Sequence, residues 1–389
     1  MTMATKQEII KDKLGKYLKA SMEEKSRILD LLEEVTGMHR KALIRRLKTL
    51  QLRPSYYEDH RGRPVVYGKG VTSALHEIWT VANKICAERL HPIIQEYIAV
   101  LARDGIWKHG DETTGLLCSM SIGTLKNRIE NFERIRVGGG RSTTKPSHLK
   151  EIIPIRRGPW ENPPPGYGEV DTVAHCGGTL VGDYVYTVQY TDVATIWTCL
   201  AAQWNKGELA TTNSMASIQE RLPFRLLGID PDSGSEFINW HMKGWCDERK
   251  VEMTRTRPYM KDDHARIEQK NYTNVRQFVG YVRIDNPEAV ETMNELYRVL
   301  EDYINFFIPS MKCMKKMRIG SRYVRIYDRS QTAYQRVCVH PLVEESVKER
   351  LRTKYVTLNP KILKQKSDRL LRRLYAIKTA TQDKDFGNT

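Results

Sequence analysis

The chain has 389 residues, which is enough for roughly two or three domains, each with its own hydrophobic core. Its formal net charge of +16 at pH 7 is typical of proteins that bind nucleic acid or another anionic surface. No apolar run approaches the roughly 18 residues of a membrane span, and the seven cysteines include no Cys-x-x-Cys pair. We therefore expect neither a membrane protein nor a disulfide or structural zinc framework.

Residues 1–60 predict a first helix-turn-helix domain. Helical segments over 25–32 and 39–47 flank a break that contains Gly37. A basic second helix after such a break is the arrangement in which a helix-turn-helix places its recognition helix in the DNA major groove. The alternative is an amphipathic helical hairpin with a solvated basic face. The candidate DNA contacts on the second helix are Arg40, Lys41 and Arg45.

Residues 70–136 predict a second helix-turn-helix domain. It follows a connecting segment that contains Arg61-Gly62-Arg63-Pro64, which fits a minor-groove arm and a flexible connector equally well. A short helix over 113–117 precedes a turn, and Ser121 is a good N-cap for the next helix. The candidate DNA contacts on that helix are Lys126, Asn127 and Arg128.

Residues 137–165 predict a linker, because they contain three consecutive glycines and three consecutive prolines. Residues 166–310 then carry strand and helix patterns. Three strands, at about 168–174, 183–191 and 195–202, precede an alternation of helices and strands. This pattern predicts an α/β domain with a mixed sheet.

Three carboxylates lie on separate elements of this predicted domain. Asp171 lies within the first strand, Asp232 follows the apolar run 224–229, and Glu268 shares a helix face with Asn271. Carboxylates brought together in this way form an oxygen-rich site that suits Mg²⁺ or Mn²⁺. Two such ions about 4 Å apart can activate an attacking oxygen and stabilise a leaving oxygen in phosphodiester chemistry.

Other aspartates compete with two of these three carboxylates. Asp183 and Asp192 compete with Asp171, but both lie at strand ends, where aspartate is a common turn residue. Asp230 competes with Asp232, which is followed by a Ser-Gly turn that lets the backbone approach a metal ion or a phosphate closely. Asp171 and Asp232 are therefore the preferred candidates.

The motifs around the three carboxylates resemble those of one known family. They are Pro165-Gly166-Tyr167-Gly168-Glu169-Val170-Asp171, Asp232-Ser233-Gly234-Ser235-Glu236-Phe237-Ile238-Asn239, and Arg257-Pro258-Tyr259 with Glu268-Gln269-Lys270-Asn271. In order and spacing they resemble the DDE transposases of bacterial insertion sequences, which have a retroviral-integrase-type catalytic core. The resemblance covers roughly residues 152–339. Two positions depart from it, since Ser233 stands where the family usually has Asn, and 194–197 replaces a Thr-Gly-Trp turn.

The resemblance implies an RNase H-like catalytic core. In such a core Asp171, Asp232 and Glu268 are both the catalytic residues and the ligands of two Mg²⁺ or Mn²⁺ ions. It implies metal-dependent cleavage at element ends and strand transfer of the 3′-OH into target DNA. The implied partners are double-stranded DNA, as terminal inverted repeats and as target, and further copies of the chain in at least a dimer. Lys270 is then a candidate DNA contact, and the expected location is the bacterial cytoplasm, in association with the nucleoid.

Residues 311–389 predict a small basic C-terminal region. Residues 323–328 predict a strand, and residues 348–378 predict one basic amphipathic helix that binds DNA or docks onto another subunit. Two other functions stay open at this point. One is a metal-dependent DNA nuclease of the same fold, and the other is a domesticated DNA-binding regulator without catalysis. The intact carboxylate triad argues against the regulator.

Overall fold

The computed structural model describes residues 3–52, 66–132, 163–231, 234–254, 270–319 and 322–385. The chain divides into two compact units, Met1–Val66 and Tyr67–Thr389. Asp232, Ser233 and Glu268 lie outside the described residues, as do Arg61-Gly62-Arg63-Pro64 and most of the predicted linker.

The first unit contains a bundle of three helices: α1 (Met3–Lys19), α2 (Met22–Thr36) and α3 (Arg40–Gln51). Ser21 and Glu24 form a reciprocal capping box at the start of α2. Gly37 ends α2 in the left-handed conformation, with φ of 66°, which glycine adopts without a steric penalty. The predicted helices and the break at Gly37 are confirmed. The buried core of the bundle consists of Ile10, Leu29, Leu32, Leu43 and Leu47.

The second unit begins with a group of α-helices. They are α4 (Lys69–Val81), α5 (Ala87–Leu90), α6 (Ile94–Arg103), α7 (Asp111–Cys118) and α8 (Ile122–Glu130). The Ser121 hydroxyl accepts the Thr124 N–H at 3.3 Å and caps α8, as predicted. These helices share one hydrophobic core with the sheet that follows. The second predicted helix-turn-helix therefore lies in the same compact unit as the sheet.

The predicted mixed sheet is present and has five strands. They are β1 (Tyr167–Ala174), β2 (Val185–Asp192), β3 (Thr198–Trp204), β4 (Gly228–Pro231) and β5 (Glu252–Met253). Their order is β3-β2-β1-β4-β5, with β1, β2 and β3 antiparallel and with β4 and β5 parallel to β1. Every residue of β2 is buried, in keeping with its mostly β-branched and aromatic composition. Two helices connect the later strands: α9 (Glu208–Arg221) and α10 (Trp240–Arg249).

The segment after β5 returns to the sheet as helices. A π-helical turn (Asn271–Arg276) runs into α11 (Gln277–Val279), and the long helix α12 (Ala289–Phe307) packs against β3. π-Helical turns are uncommon and frequently occur at functional sites. The turn at Asn271 directly follows the segment that carries Glu268.

Side chains of α12 cover the outer edge of β3. The N–H groups of Thr198, Leu200 and Ala202 donate at 2.7–2.8 Å to side-chain oxygens of α12. Those oxygens belong to Asn305, Glu301 and Asn294, respectively. An edge strand normally presents unpaired backbone groups that can template pairing with another chain. Here polar side chains of α12 satisfy those groups.

The C-terminal region contains a two-stranded hairpin and three helices. They are β6 (Cys313–Ile319), β7 (Arg322–Tyr327), α13 (Ala333–Val339), α14 (Glu345–Thr357) and α15 (Pro360–Asp385). The prediction of one helix over 348–378 is wrong, because α14 and α15 are separate helices. Leu358 is extended, as residues close to a following proline tend to be, and Pro360 begins α15. The Asn359 carboxamide accepts the Lys361 N–H at 2.9 Å and caps the new helix.

Candidate functional site

Asp171 lies at the centre of the sheet, on β1. Its side chain is half-buried, and its Cα pairs with that of Gln189 on β2. The Asp171 carboxylate accepts the Thr172 N–H at 2.7 Å through Oδ1 and the Asn271 side-chain N–H at 2.6 Å through Oδ2. Asn271 comes three residues after Glu268 in the chain. The structure thus connects Asp171 to the segment that carries the third predicted carboxylate.

Two carboxamides with buried oxygen atoms accompany Asp171. Among the described residues, Asn271 Oδ1 has no hydrogen-bond partner, and neither polar atom of the Gln189 side chain has one. A buried polar group without a partner costs about 1–3 kcal/mol, so such groups call for a functional reason. Amide and carboxylate oxygens are the ligands that hard divalent cations prefer. The surroundings of Asp171 therefore suit a metal ion or its bound water.

Strand β4 brings the chain before Asp232 beside Asp171. Pro231, the last residue of β4, pairs in parallel register with Val170 on β1. Asp232 follows Pro231 directly in the chain. The competing Asp230 is fully buried, and its carboxylate accepts the Thr254 hydroxyl at 2.6 Å. This contact gives Asp230 a role inside the sheet.

Asp192, the competitor of Asp171, has the structure of a turn residue. Its carboxylate accepts the N–H groups of Gly166 and Thr195 and the Thr195 hydroxyl, each at 2.7 Å. Burial raises the pKa of Asp192 to about 6, although these hydrogen bonds oppose the shift. Asp183 is exposed before β2. Both aspartates therefore lie where turn residues are expected.

A buried ion pair supports the strand next to Asp171. The Glu236 carboxylate is fully buried, accepts the Thr172 hydroxyl at 3.0 Å and pairs with the Lys206 ammonium at 2.7 Å. A Cβ at position 234 would lie only 2.4 Å from the Glu236 carboxylate, so a larger residue there would displace this side chain. Glu236 thereby ties the chain that follows Asp232 to β1.

Within the described ranges, which omit Asp232 and Glu268, no three His, Cys, Asp or Glu side chains form a group that could hold a metal ion. Asp171 is therefore the one predicted ligand whose surroundings the structure describes. Its neighbours are carboxamides, which sequence patterns do not distinguish from ordinary polar residues.

The predicted DNA contacts of the first unit differ in their surroundings. Arg40 pairs with Asp30 and donates to the Ser26 hydroxyl at 2.6 Å, so its guanidinium joins α3 to α2. Lys41 and Arg45 are exposed on α3. DNA contact by all three stays a prediction, and the two exposed cations have the accessibility that it requires.

The remaining predicted contacts lie in the second unit. Lys126 and Asn127 are exposed on α8, whereas Arg128 donates to the Tyr67 carbonyl at 2.7 Å and also to the Thr72 hydroxyl. Burial, together with the nearby cations Arg89 and Arg336, lowers the pKa of Lys270 to about 7. DNA contact by these residues also stays a prediction.

A buried histidine follows β1 directly. His175 is fully buried, and its Nε2 is hydrogen-bonded to the Thr187 hydroxyl at 2.8 Å, which is in turn hydrogen-bonded to the Tyr297 hydroxyl. Burial and the positive charge of Arg276 lower the pKa of His175 to about 3. The folded protein thus holds this imidazole neutral.

The state of His175 predicts a pH-dependent stability. The unfolded chain binds a proton at His175 below its ordinary pKa of about 6.5, whereas the folded chain does so only near pH 3. The free energy of unfolding should therefore fall as the pH drops from about 6.5 toward 3, by about 2 kcal/mol at pH 5. In urea titrations, the stability advantage of the wild type over His175→Gln should be about 2 kcal/mol smaller at pH 5 than at pH 7. An advantage that is the same at both pH values would contradict the prediction.

These observations define a protein with a helical N-terminal unit and an α/β unit that has a mixed five-stranded sheet. Among the described helices, none has the length and apolar composition that a membrane crossing requires. No family model matches the chain. It is 36% identical over 332 residues to the uncharacterized protein y4rM of Sinorhizobium fredii (strain NBRC 101917 / NGR234), over 84% of this chain and 93% of that relative. The chain belongs to the same family as y4rM.

Proposed function

We propose that the chain is a metal-dependent DNA transposase. In this proposal an RNase H-like core cleaves the ends of a mobile element and transfers the 3′-OH ends into target DNA. The strand order β3-β2-β1-β4-β5 supports the RNase H-like assignment, because that fold joins three antiparallel strands to further parallel strands. The resemblance of the sequence motifs around Asp171, Asp232 and Glu268 to DDE transposases supports the reaction.

The convergence of three chain segments on Asp171 carries the proposal. Asp232 follows the residue that pairs with Val170, and consecutive Cα atoms are about 3.8 Å apart. Glu268 precedes Asn271 by three residues, so their Cα atoms are at most about 11 Å apart. Because Asn271 is hydrogen-bonded to Asp171, these chain distances support the proposal that the three carboxylates form one site.

The chemistry of the donor set fits two divalent ions. Asp171, Asp232 and Glu268 would hold Mg²⁺ or Mn²⁺, and the buried Asn271 Oδ1 would accept a hydrogen bond from a bound water or act as a further ligand. Such ions supply positive charge that favours both the attacking and the leaving oxygen of a phosphodiester. Thr172 and Asn271 orient the Asp171 carboxylate by donating a hydrogen bond to each of its oxygens. Lys206 and Glu236 hold the adjacent Thr172 in place.

The helical segments would supply recognition of the element ends. A recognition helix reads base edges in the major groove, whereas phosphate contacts position the protein without reading sequence. Lys41 and Arg45 are exposed on α3, the proposed recognition helix of the first helix-turn-helix. Lys126 and Asn127 are exposed on α8, the proposed recognition helix of the second. Because a transposase acts on two ends, the proposed active form is at least a dimer on double-stranded DNA.

A strand-transfer assay tests the proposal. Pre-cut duplexes would carry the terminal repeats that flank the gene of this chain, and supercoiled plasmid would serve as target. We expect covalent joining of these duplexes to plasmid in Mg²⁺ or Mn²⁺, and none in EDTA. Nicking of the DNA without joining would show that the protein is a nuclease and not a transposase. Sequence-specific binding without any cleavage would replace it with a DNA-binding regulator.

A further inference from the structure

The hairpin of β6 and β7 is strongly basic. Between residues 313 and 327 the sequence has five lysines and arginines and no carboxylate. Among the hairpin side chains that the structure describes, Lys315, Arg318 and Arg325 are exposed. Val324, Ile326 and Tyr327 on β7 are also exposed, so the ribbon is not covered by the rest of the described chain.

The register of the hairpin places like charges side by side. Lys316 pairs directly with Arg325 in the backbone register. Like charges opposite each other in an antiparallel pair are destabilising. Alternate residues of a strand share one face, so the next pair on the same face as Lys316 and Arg325 contains a third cation, Arg318. The backbone register thus gathers three basic residues along the hairpin, a composition that an anionic partner would complement.

Several cations elsewhere in the second unit have carboxylate partners. Representative ion pairs are Arg221–Glu301, Lys354–Asp302, Lys361–Glu77, Lys364–Asp368 and Arg373–Glu295. Within the described part of the chain, Lys315 and Arg325 have no such partner. Both side chains are exposed as well, so they are accessible to an external polyanion.

The base of the hairpin is firmly attached to the unit. The Asp328 carboxylate accepts the Lys312 N–H at 2.6 Å and the Arg336 guanidinium at 2.5 Å. The same guanidinium donates to the Ser310 carbonyl at 2.8 Å, and Ser310 exchanges two backbone hydrogen bonds with Gln331. A two-stranded ribbon is marginally stable alone, so this attachment is what holds it in an extended form.

We propose that the hairpin Cys313–Tyr327 is a ribbon that binds duplex DNA along its phosphates. The inference rests on the proposed function, because it takes DNA as the substrate, and it assigns a binding surface apart from the carboxylate triad. A two-stranded ribbon fits the DNA major groove, which is about 12 Å wide. A row of cations along an extended strand suits a linear polyanion better than the scattered carboxylates of a protein surface.

Salt-dependent binding tests the ribbon. We expect the double variant Lys316→Gln/Arg325→Gln, which changes one directly paired position of the ribbon, to bind arbitrary duplex DNA with a log–log salt slope smaller by about 1.8, since each phosphate contact contributes about 0.9. Between 50 and 200 mM salt, the wild type should therefore lose about twelvefold more affinity than this variant. Fluorescence anisotropy of a labelled duplex measures both constants. Circular dichroism spectra that match the wild type would show that the variant is folded.

The matched control removes the same charge from another surface. Lys243 and Arg249 lie on α10, where each pairs with a neighbouring carboxylate. The variant Lys243→Gln/Arg249→Gln should keep the wild-type slope. Equal slopes for the hairpin variant and this control would overturn the ribbon proposal. So would a competition in which single-stranded RNA or polyglutamate displaces the hairpin-dependent binding better than duplex DNA.

The outcomes separate this inference from the proposed function. If the duplexes are not joined to plasmid in the strand-transfer assay but the hairpin variant has the smaller salt slope, the DNA-binding ribbon is supported and the transposase proposal is not. If joining occurs and the slope is unchanged, the ribbon alone is overturned.

Discussion

Replacing Asp171 with asparagine is expected to reduce cleavage and strand transfer by about a thousandfold or more. A carboxylate that holds divalent ions supports several kcal/mol of transition-state stabilisation, and each 1.36 kcal/mol corresponds to a factor of ten in rate. Asparagine keeps the size of the side chain and one carbonyl oxygen. That oxygen can still accept one of the two hydrogen bonds, from Thr172 or from Asn271, that the carboxylate accepts. The fold and DNA binding should therefore survive the substitution.

Single-turnover cleavage in Mg²⁺ checks this expectation. The matched control is Asp183→Asn, which removes an exposed carboxylate on the loop before β2 and should leave the rate nearly unchanged. Asp232→Asn and Glu268→Gln should lose activity as Asp171→Asn does. Cleavage at close to the wild-type rate by Asp171→Asn, with DNA binding intact, would remove Asp171 from the proposed site.

The second large effect is expected at Glu301, on stability. Glu301 is buried on α12, accepts the Leu200 N–H at 2.7 Å and pairs with the Arg221 guanidinium at 3.0 Å. Removing one partner of a buried ion pair leaves the other charge uncompensated, which costs about 3–5 kcal/mol. Glu301→Ala should therefore lower the free energy of unfolding of the second unit by about that amount.

Urea denaturation followed by tryptophan fluorescence measures this loss. All seven tryptophans lie between Trp79 and Trp245, so the signal reports the second unit. Glu295→Ala is the control on the same helix, since it breaks a more exposed pair with Arg373. Such a pair contributes about 0–1 kcal/mol. Similar losses for the two variants would show that the buried pair has no special role.

The sheet was largely predictable because its strands carry strong local patterns. Asp171 lies within β1 as predicted, and three strands precede the alternating helices and strands of a mixed sheet, also as predicted. Boundaries shifted where side chains define a turn. The strand predicted from 195 begins at Thr198, because Asp192 and Thr195 hold a turn in which Ile196 has a positive φ. Asn239 likewise caps helix α10, which begins at Trp240.

Other parts of the site depend on register, which sequence patterns do not determine. Gln189 lies beside Asp171 only through the pairing of β1 with β2. A glutamine amid the apolar and β-branched residues of β2 was the signal that could have identified it. Asn271 shares a predicted helix face with Glu268, but its hydrogen bond to Asp171 requires the packing of the π-helical turn against the sheet. The break before Pro360, by contrast, could have been predicted from the proline itself.

Because α12 covers the edge of β3, the sheet is most prone to pair with another chain before α12 has been synthesised. The side chains that satisfy the β3 edge come 92 to 107 residues later in the chain. At about 5–20 residues per second, the ribosome needs about 5–20 s to make that intervening stretch. For this interval a mostly apolar strand has an open edge that can pair with another nascent chain. Synonymous codon changes that slow translation between β3 and α12 should therefore increase aggregation without altering the mature protein.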